Sequence, residues 1–381
     1  MPIYLDNAAT TPLRAEVKER MISLLDDPFG NPSSIHQFGR KARALLEDSR
    51  RQIARSLHCT PHEIIFTSGG TEADNTALLI AVRDLGVQRI ITSPIEHSAV
   101  LRTAEALAKK YRVKLELVHL DEKGVVDLDH LEELLNERQP TLVSLMHGNN
   151  EVGNLLDIMQ VGQLVKSHGA YFHSDTVQTV GHFHLHLDEL PVDFIAASAH
   201  KFYGPKGIGF LYMNNAIKSD PLLFGGGQER GKRAGTEALE LIAGFGAAAE
   251  YANNFFINDT KKSRDLLEHL CIESCSNASI IGYDSPRVSN TSSIAFEGLE
   301  AESIVIALDL AGYEVSSGSA CSSGKVSTSH VLKAMGYGNS ILKSSIRISL
   351  CSALEEDVIK KFVGTISSVV SKLENIKGIN S

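Results

Sequence analysis

Short apolar runs alternate with amphipathic stretches through the first two thirds of the chain. The runs have the length and β-branched content of strands, and several are continuously apolar, as strands of a buried parallel sheet are. They are EIIFTS, RIITSP, KLELVHL, TLVSLMH, AYFHSD and DFIAASA. Stretches such as TEADNTALLIAVRDLG and AVLRTAEALAKKY lie between them and have the period of helices. This alternation predicts an α/β fold with a mostly parallel sheet.

The pattern changes towards the C-terminus. From about Thr236 to Cys275 it is helical, and beyond that only a few strands, such as TSSIAFE and SSIRISL, precede a final helix. Because 381 residues are too many for one small core, we expect two domains. They are a large α/β domain of residues 14–255, and a smaller α+β domain formed by residues 1–13 and 256–381.

Composition narrows the class of protein. Hydrophobic residues at 43% and charged residues at 22% are ordinary for a globular chain. A net charge of −9 argues against nucleic acid or an anionic membrane surface as the main partner. No segment is apolar for long enough to span a bilayer, the start MPIYLDNAATTP lacks the pattern of a signal peptide, and five cysteines are scattered. We therefore expect a cytoplasmic protein without a disulfide framework.

Polar and glycine-rich motifs follow the predicted strands. They are SGGTE, EHS, GNNE, HSDTVQ and SAHK. Ligands of such sheets lie beyond the carboxyl ends of the strands, which meet at one edge. The sequence therefore predicts a ligand site built from these motifs.

Three of the motifs carry candidate chemistry, and each also has a purely structural interpretation. Gly70, before a helix that opens at Thr71 with Asp74 as its cap, can favour a phosphate or simply form a turn. Asp175 can pair with a protonated pyridine nitrogen or cap a turn. Lys201 can form a Schiff base or be an ordinary lysine. Together, on successive strand ends, they predict a pyridoxal-phosphate site.

Nearly end to end, the chain resembles the cysteine desulfurases, pyridoxal-phosphate enzymes of the class V aminotransferase family. The matching stretches are YLDNAATTP, GNPSSIH, FTSGGTEADN, EHSAV, NNEVG, HSDTVQ, SAHKFYGPKGIGFLY, GGGQERGKRAGTE, SSGSACSSG and SIRISL. The resemblance implies the fold type I of pyridoxal-phosphate-dependent transferases. It also implies conversion of L-cysteine to L-alanine, with transfer of the sulfur to an enzyme cysteine as a persulfide.

The resemblance also implies the cofactor-binding residues. Lys201 would form the Schiff base with pyridoxal 5′-phosphate, Asp175 would pair with the ring nitrogen, and His97 would stack on the ring and help to move protons. Asn150 and Gln178 would lie near the ring hydroxyl and the substrate. The residues that would hold the phosphate are Gly70, Thr71, Ser198 and His200.

Three further residues receive roles in the same way. Arg347 would bind the substrate carboxylate, and Cys321, in a loop of small residues, would accept the sulfur. Thr236 would reach the phosphate of the other subunit's cofactor, which implies a homodimer. The spacing from Cys321 to SHVLKAMG resembles the branch with a longer loop, which hands sulfur to an iron–sulfur scaffold or another acceptor protein.

Some positions depart from the family pattern. Leu156, Ala238 and Cys351 stand where the family often has glutamine, asparagine and glycine. Two alternatives therefore stay open beside a cysteine desulfurase. One is a selenocysteine lyase or another pyridoxal-phosphate-dependent lyase, and the other is a catalytically retired scaffold paralogue.

The remaining histidine and cysteine patterns favour structural roles. HFHLHL places His182, His184 and His186 on one face of an extended run, but a zinc site usually needs more shaping, so we expect no metal site. Cys271 and Cys275 share a helix face and are expected in the core.

Overall fold

The computed structural model describes residues 2–25, 30–252, 257–318 and 328–378. The strands are β1 Ile3–Tyr4, β2 Ile64–Thr67, β3 Arg89–Thr92, β4 Lys114–Leu117, β5 Thr141–Ser144, β6 Tyr171–Asp175, β7 Phe194–Ser198, β8 Gly209–Met213, β9 Ala278–Ile280, β10 Thr291–Phe296, β11 Tyr313–Glu314, β12 Ser316–Ser317 and β13 Ser345–Ser349. The helices are α1 Ala15–Ile22, α2 Gln37–Ser56, α3 Gly70–Arg83, α4 Ser98–Tyr111, α5 Leu128–Leu135, α6 Ile158–Ser167, α7 Leu239–Ala252, α8 Ile257–Ser274, α9 Ala301–Leu310, α10 His330–Ala334, α11 Asn339–Ser344 and α12 Glu356–Lys377.

Seven strands form one sheet in the order β2-β8-β7-β6-β5-β3-β4. Every pairing is parallel except the two made by β8, which runs antiparallel to β2 and β7. All six apolar runs identified in the sequence are strands of this sheet. The predicted α/β class with a mostly parallel sheet is therefore confirmed.

Helices cover both faces of this sheet because its strands are apolar on both sides. Ile64 and Ile91 belong to one hydrophobic cluster, which also contains residues of α2 and α7. Their chain neighbours Ile65 and Ile90 point to the other face and belong to a cluster with residues of α3 and α4. The alternation of side chains along a strand thus divides the core into two layers.

A second sheet, β12-β13-β10-β9, is antiparallel and lies in the C-terminal part of the chain. Its hydrophobic cluster includes Ile294 and Ile346 from the sheet and Phe362 from α12. The N-terminal strand β1 pairs in parallel with β11, and Leu5 belongs to the same cluster. Residues from the two ends of the chain thus form one packed unit.

The helical stretch predicted from about Thr236 to Cys275 contains two helices, α7 and α8, and residues 253–256 between them lie outside the described residues. Cys271 and Cys275 are both buried, which confirms the prediction that they belong to the core. Within the described parts of the chain, no helix combines the length and apolarity needed to cross a membrane.

Candidate active site

A cavity of about 560 Å³ lies where β6 and β7 of the seven-stranded sheet reach their carboxyl ends. Nine of the twelve residues that the sequence assigned to the site line it: Gly70, Thr71, His97, Asn150, Asp175, Gln178, Ser198, His200 and Lys201. Ala8, Ala9 and Thr10 of the N-terminal segment line it too. The edge predicted from strand order is therefore a real concave surface.

One end of the cavity is formed by the N-terminus of α3. The helix begins at Gly70, and a Cβ atom there would lie 2.5 Å from Cγ2 of Val177, so only glycine fits. Ser198 lies across from it at the end of β7. Free backbone N–H groups and the helix dipole make such an end suitable for an anion.

His200 adds a neutral donor or acceptor to this end. Its Nδ1 lies 3.1 Å from Oγ1 of Thr10, and burial, together with Lys201 and Lys206, lowers the pKa of the imidazole to about 4. The ring is therefore uncharged at neutral pH. Any attraction of a phosphate to this end comes from N–H groups and lysines instead.

The prediction that Asp74 caps α3 is wrong. No side chain caps this helix, and Oε2 of Glu72 accepts instead from the backbone N–H of Ser68, at 2.7 Å. Asp74 is buried in the lining of the cavity, with Oδ1 3.3 Å from Nε2 of His173. Burial and the nearby carboxylates of Asp175 and Glu96 raise its pKa well above the ordinary range.

Asp175 ends strand β6 and is buried. Its Oδ1 accepts from the N–H of Val177 at 2.9 Å. Burial raises the pKa of the carboxyl, although His97 and Lys201 favour its charged form. A cationic N–H placed against this carboxylate would offset the cost of burying it.

His97 is held by the start of α4. As the N-cap residue, it accepts from the N–H of Ala99 at Nδ1, over 3.1 Å, so the neutral ring carries its proton on Nε2. Burial lowers the pKa of His97, with Lys201 and His330 acting in the same direction and Asp175 against it. The sequence assigned the residue a ring-stacking role but gave no sign of this cap.

Lys201 lies in a short 3₁₀ turn directly after β7. Its Nζ donates to the carbonyl oxygens of Ala8 at 2.6 Å and Ala9 at 3.0 Å. Nε2 of Gln178 donates to the same Ala8 oxygen at 3.0 Å. The sequence did not predict these contacts, because the motif NAATTP specifies side chains and does not reveal the direction of the backbone carbonyl groups.

Arg347 lies beside the cavity lining and contacts it through Asn150. Its Nη1 donates to the backbone oxygen of Asn150 at 2.8 Å, and Nη2 pairs with Oδ1 of Asp6 at 2.7 Å. The side chain is buried in the antiparallel sheet, on β13. Nε has no hydrogen-bond partner among the described residues.

The remaining two predicted site residues are Cys321 and Thr236. Cys321 lies outside the described residues, but the strand that leads to it, β12, pairs with β13 so that Ser316 faces Arg347. After the gap, Ser329 caps α10 and donates to Oε2 of Glu151 at 2.5 Å. Thr236 is exposed and does not line the cavity of its own chain.

Ion pairs anchor the loop that carries Thr236, and two of them are bidentate. Buried Arg50 and Glu229 form a bidentate pair, with N–O distances of 2.7 and 2.8 Å. Arg233 forms a second with Glu72 at 2.9 and 3.2 Å, which joins the loop to the first turn of α3. The sequence offered no signal for either pair, because the partners are far apart along the chain.

Glu96 is a further residue that sequence reasoning missed, although it lies in the quoted motif EHSAV. It is buried, and its Oε1 accepts from Oγ of Ser93 and the N–H of Met146. Burial raises the pKa of Glu96 to about 8. A neutral carboxylic acid thus lies next to His97 in the chain at physiological pH.

Comparison with known proteins agrees with the motifs. Residues 3–362 match the family model of the class-V aminotransferases. The chain is 41% identical to the cysteine desulfurase IscS of Dictyoglomus turgidum, over 98% of this chain and 96% of the relative. It is also 41% identical to cysteine desulfurase 2 of Trichormus variabilis, over 98% and 94%.

Solved structures give the same result. A NifS-like protein superposes with a TM-score of 0.91 at 36% identity, and the match covers 98% of this chain and 100% of that protein's chain. A NifS-like protein from Rickettsia africae superposes with a TM-score of 0.87 at 35% identity, covering 97% and 100%. The resemblance drawn from the sequence is confirmed, and the chain belongs to the cysteine desulfurases of the class-V aminotransferase family.

Proposed function

We propose that this chain binds pyridoxal 5′-phosphate in the cavity and converts L-cysteine to L-alanine, with Cys321 as the sulfur acceptor. The observation that carries the proposal is the placement of three groups around one cavity. They are the amine of Lys201, the buried carboxylate of Asp175 and the N-terminus of α3. These are partners for an aldehyde, a ring nitrogen and a phosphate respectively.

The residues present fit this cofactor. Gly70 leaves room at the helix end where a Cβ atom would collide, and Asp175 needs a cationic partner to offset its burial. When bound, pyridoxal phosphate supplies an electron sink for charge developing at the substrate Cα. Asp175 would sustain that sink by favouring a protonated ring nitrogen, and Ser198 would donate to the phosphate.

Proton movement falls to Lys201 and His97. Lys201 takes the proton from the substrate Cα, while the Ala8 and Ala9 carbonyls hold its Nζ at the cavity. His97, kept neutral by its lowered pKa, presents Nε2–H as a donor because Nδ1 is occupied by Ala99. Asn150 and Gln178 orient the substrate.

We assign binding of the substrate carboxylate to Arg347. Its hydrogen bond to the backbone oxygen of Asn150 connects it to the cavity lining, and its guanidinium forms an ion pair with Asp6 through Nη2. The Asp6 side chain is 22% exposed, so an incoming carboxylate can compete for the guanidinium. Arginine suits this role because its donors form a planar fork.

Cys321 completes the reaction. Its thiolate attacks Sγ of the substrate, a sulfur–sulfur bond forms, the Cβ–Sγ bond breaks and the electron pair returns to the substrate carbon skeleton. Protonation of that skeleton gives alanine, and Cys321 carries the persulfide. In β12, the last described strand before Cys321, Ser316 pairs with Arg347 of β13, which supports this assignment.

A homodimer is part of the proposal. Thr236 is exposed and its loop is anchored by the two bidentate ion pairs, as expected for a residue that serves a neighbouring subunit. Leu223 and Phe224, shortly before this loop, expose 42% and 76% of their surface. An iron–sulfur scaffold or another acceptor protein would then remove the sulfur from Cys321.

The domain division at residues 14–255 against 1–13 and 256–381 is likewise proposed. Each part has its own sheet, and each part contains a hydrophobic cluster of its own. Both observations support the division. Limited proteolysis should cut first at the boundary between the two parts, and the fragments should stay associated because residues 1–13 remain joined to the large part and pack against the small one. Early cleavage inside the seven-stranded sheet would contradict this division.

The test compares substrates and two cysteine variants. The wild-type protein is given L-cysteine with a thiol reductant, and sulfide and alanine are measured together. We expect equal amounts of both, a persulfide on the Cys321 peptide, and a loss of roughly 10²-fold or more in Cys321→Ala. Cys351→Ala, which changes a half-buried cysteine near Arg347, is the matched control and should retain its rate.

Other outcomes select the alternatives. Alanine from L-selenocysteine but not from L-cysteine would identify a selenocysteine lyase. Bound cofactor with no turnover of either amino acid would identify a retired paralogue. Full activity in Cys321→Ala, or a persulfide on Cys351, would refute the assignment of the acceptor.

A further inference from the structure

Two histidines and an aspartate converge at the surface, outside the cavity. The rings of His58 and His186 stack with their centroids 4.0 Å apart and their planes inclined by 14°. Asp188 joins them, and one side-chain nitrogen or oxygen of each residue lies within 4.8 Å of the others. None of the three has a role in the proposed desulfurase reaction.

The backbone holds the three residues in place. The N–H of Leu187 donates to the oxygen of Leu57 at 2.9 Å, and the N–H of Asp188 donates to the oxygen of His58 at 3.1 Å. Leu57 and Leu187 are buried, which fixes both segments against the core. His186 and Asp188 flank buried Leu187, in a turn that the N–H of Glu189 closes by donating to the oxygen of His186 at 3.0 Å.

The donor atoms of the cluster are available. No side-chain hydrogen bond or ion pair joins His58, His186 or Asp188 to any residue that the structure describes. His58 and Asp188 are exposed, and His186 is half-buried. By contrast His182, from the same HFHLHL motif, has Nε2 2.9 Å from the carbonyl oxygen of Lys201.

Ring stacking alone is not the signal. His119 and His130 also stack, with centroids 3.6 Å apart and planes inclined by 5°. There, however, Nδ1 of His130 accepts from the N–H of His119, and no acidic side chain of the described residues completes a ligand set. This second pair therefore offers a matched control.

We propose that His58, His186 and Asp188 bind one divalent first-row transition cation, for which Zn²⁺ is the best match. Two imidazoles and a carboxylate are ligands for zinc, whereas calcium and magnesium prefer oxygen alone. Tetrahedral ligands lie roughly 3–3.5 Å apart, so the donors must move closer by side-chain rotation. Water supplies the fourth ligand.

Binding at this site has a structural consequence. The ion cross-links the residues that follow α2 to the run of residues 182–188, because one ligand comes from the first segment and two from the second. Since the unfolded chain does not keep the three ligands together, binding raises the thermal stability of the folded protein.

The experiment uses full-length holoenzyme freed of metal with a chelator. Zn²⁺ binding is measured by calorimetric titration, and Tm is measured with and without Zn²⁺. The variants are His58→Asn and Asp188→Asn, with His119→Asn as the control. Asparagine at position 58 tolerates the left-handed φ of 51° found there.

We expect wild type and His119→Asn to bind one more equivalent of Zn²⁺ than the two cluster variants. Both should also show a Zn²⁺-dependent rise in Tm, and Zn²⁺ affinity at the site should fall at least tenfold in the variants. Zinc bound by cysteines is a background shared by all four proteins. Desulfurase activity without Zn²⁺ should be the same in all four.

Equal zinc stoichiometry and equal Tm shifts in all four proteins would overturn the proposal. So would the loss of the extra equivalent in His119→Asn, or Mg²⁺ binding as tight as that of Zn²⁺. If His58→Asn does not fold, exposed Asp188 still gives the decisive comparison, because its side chain has no hydrogen bond or ion pair within the described chain.

Discussion

The two sheets contribute to the candidate active site in different ways. The seven-stranded sheet places groups from several strands at one edge, including Asp175 after β6 and Lys201 after β7. The antiparallel sheet contributes through two neighbouring strands. Arg347 lies on β13, and the short strand β12 precedes Cys321 in the chain. In the proposed reaction, the parallel strand ends would build the cofactor half of the site, and the antiparallel sheet would supply the substrate half.

The largest effect is expected from removing the amine of Lys201, at the edge of the seven-stranded sheet. Lys201→Ala should lower alanine formation by about 10³-fold or more, because it removes both the covalent anchor and the general base. Lys206→Arg, which keeps the charge of a second lysine that lines the same cavity, is the control. Borohydride treatment of the holoenzyme should attach the cofactor to the Lys201 peptide, and a label on Lys206 would contradict the assignment.

The next effect tests the carboxylate of the same half. Asp175→Asn should lower kcat by roughly 10²-fold while cofactor remains bound, because a neutral amide no longer favours a protonated ring nitrogen. Asp193→Asn makes the same change just before β7, where the carboxylate accepts from the N–H of Phe172. Comparable loss of kcat in both variants would mean that Asp175 acts only through stability.

The substrate half should respond in affinity more than in rate. Arg347→Lys should raise KM for L-cysteine about tenfold and change kcat far less, since lysine cannot make the two-pronged contact. Arg287→Lys, which breaks a bidentate pair with Glu268 in the same C-terminal part of the chain, should leave KM unchanged. A fall in kcat with constant KM in Arg347→Lys would move this residue into the chemical step.

The smallest effect concerns stability and pH. The folded pKa of Glu96, about 8, lies above its unfolded value of about 4.3, so the folded state retains a proton that the unfolded state has lost. The contribution of Glu96 to the free energy of unfolding therefore falls as pH rises between these values. Glu96→Gln should match wild type near pH 5 and be relatively more stable near pH 8.

Denaturant unfolding at the two pH values measures this difference. Glu63→Gln provides a second buried carboxylate for comparison, in the short turn before β2. A stability difference between Glu96→Gln and wild type that is constant across the pH range would show that Glu96 is already ionised in the folded protein.

Motif order predicted the sheet and the cavity because both depend on local pattern. Each strand carries its own apolar signature, and side chains at strand ends meet at one edge whatever the intervening helices do. Asp74 was misassigned because its position three residues after Thr71 is compatible both with a helix cap and with a buried side chain. Its partner His173 comes from a distant strand, β6, and only the folded sheet brings the two together.

Contacts made by the backbone were harder to predict. The carbonyl groups that hold Lys201 belong to Ala8 and Ala9, whose side chains say nothing about orientation. Likewise the pair of Arg50 and Glu229 joins a helix to a loop of unusual backbone, in which Glu229 has a φ of 47°. Such features depend on tertiary packing rather than on propensity.

The N-terminal segment has a practical consequence for handling the protein. Ile3 and Tyr4 pair with β11, Ala8 and Ala9 hold the Lys201 amine, and Thr11 donates to the backbone of His200. Ala8 and Ala9 also line the cavity, so this segment forms part of its wall. Proteolysis after Thr11 would remove less than a twentieth of the mass, but with it the two carbonyl groups that bind Nζ of Lys201. Intact-mass analysis should therefore accompany every activity measurement.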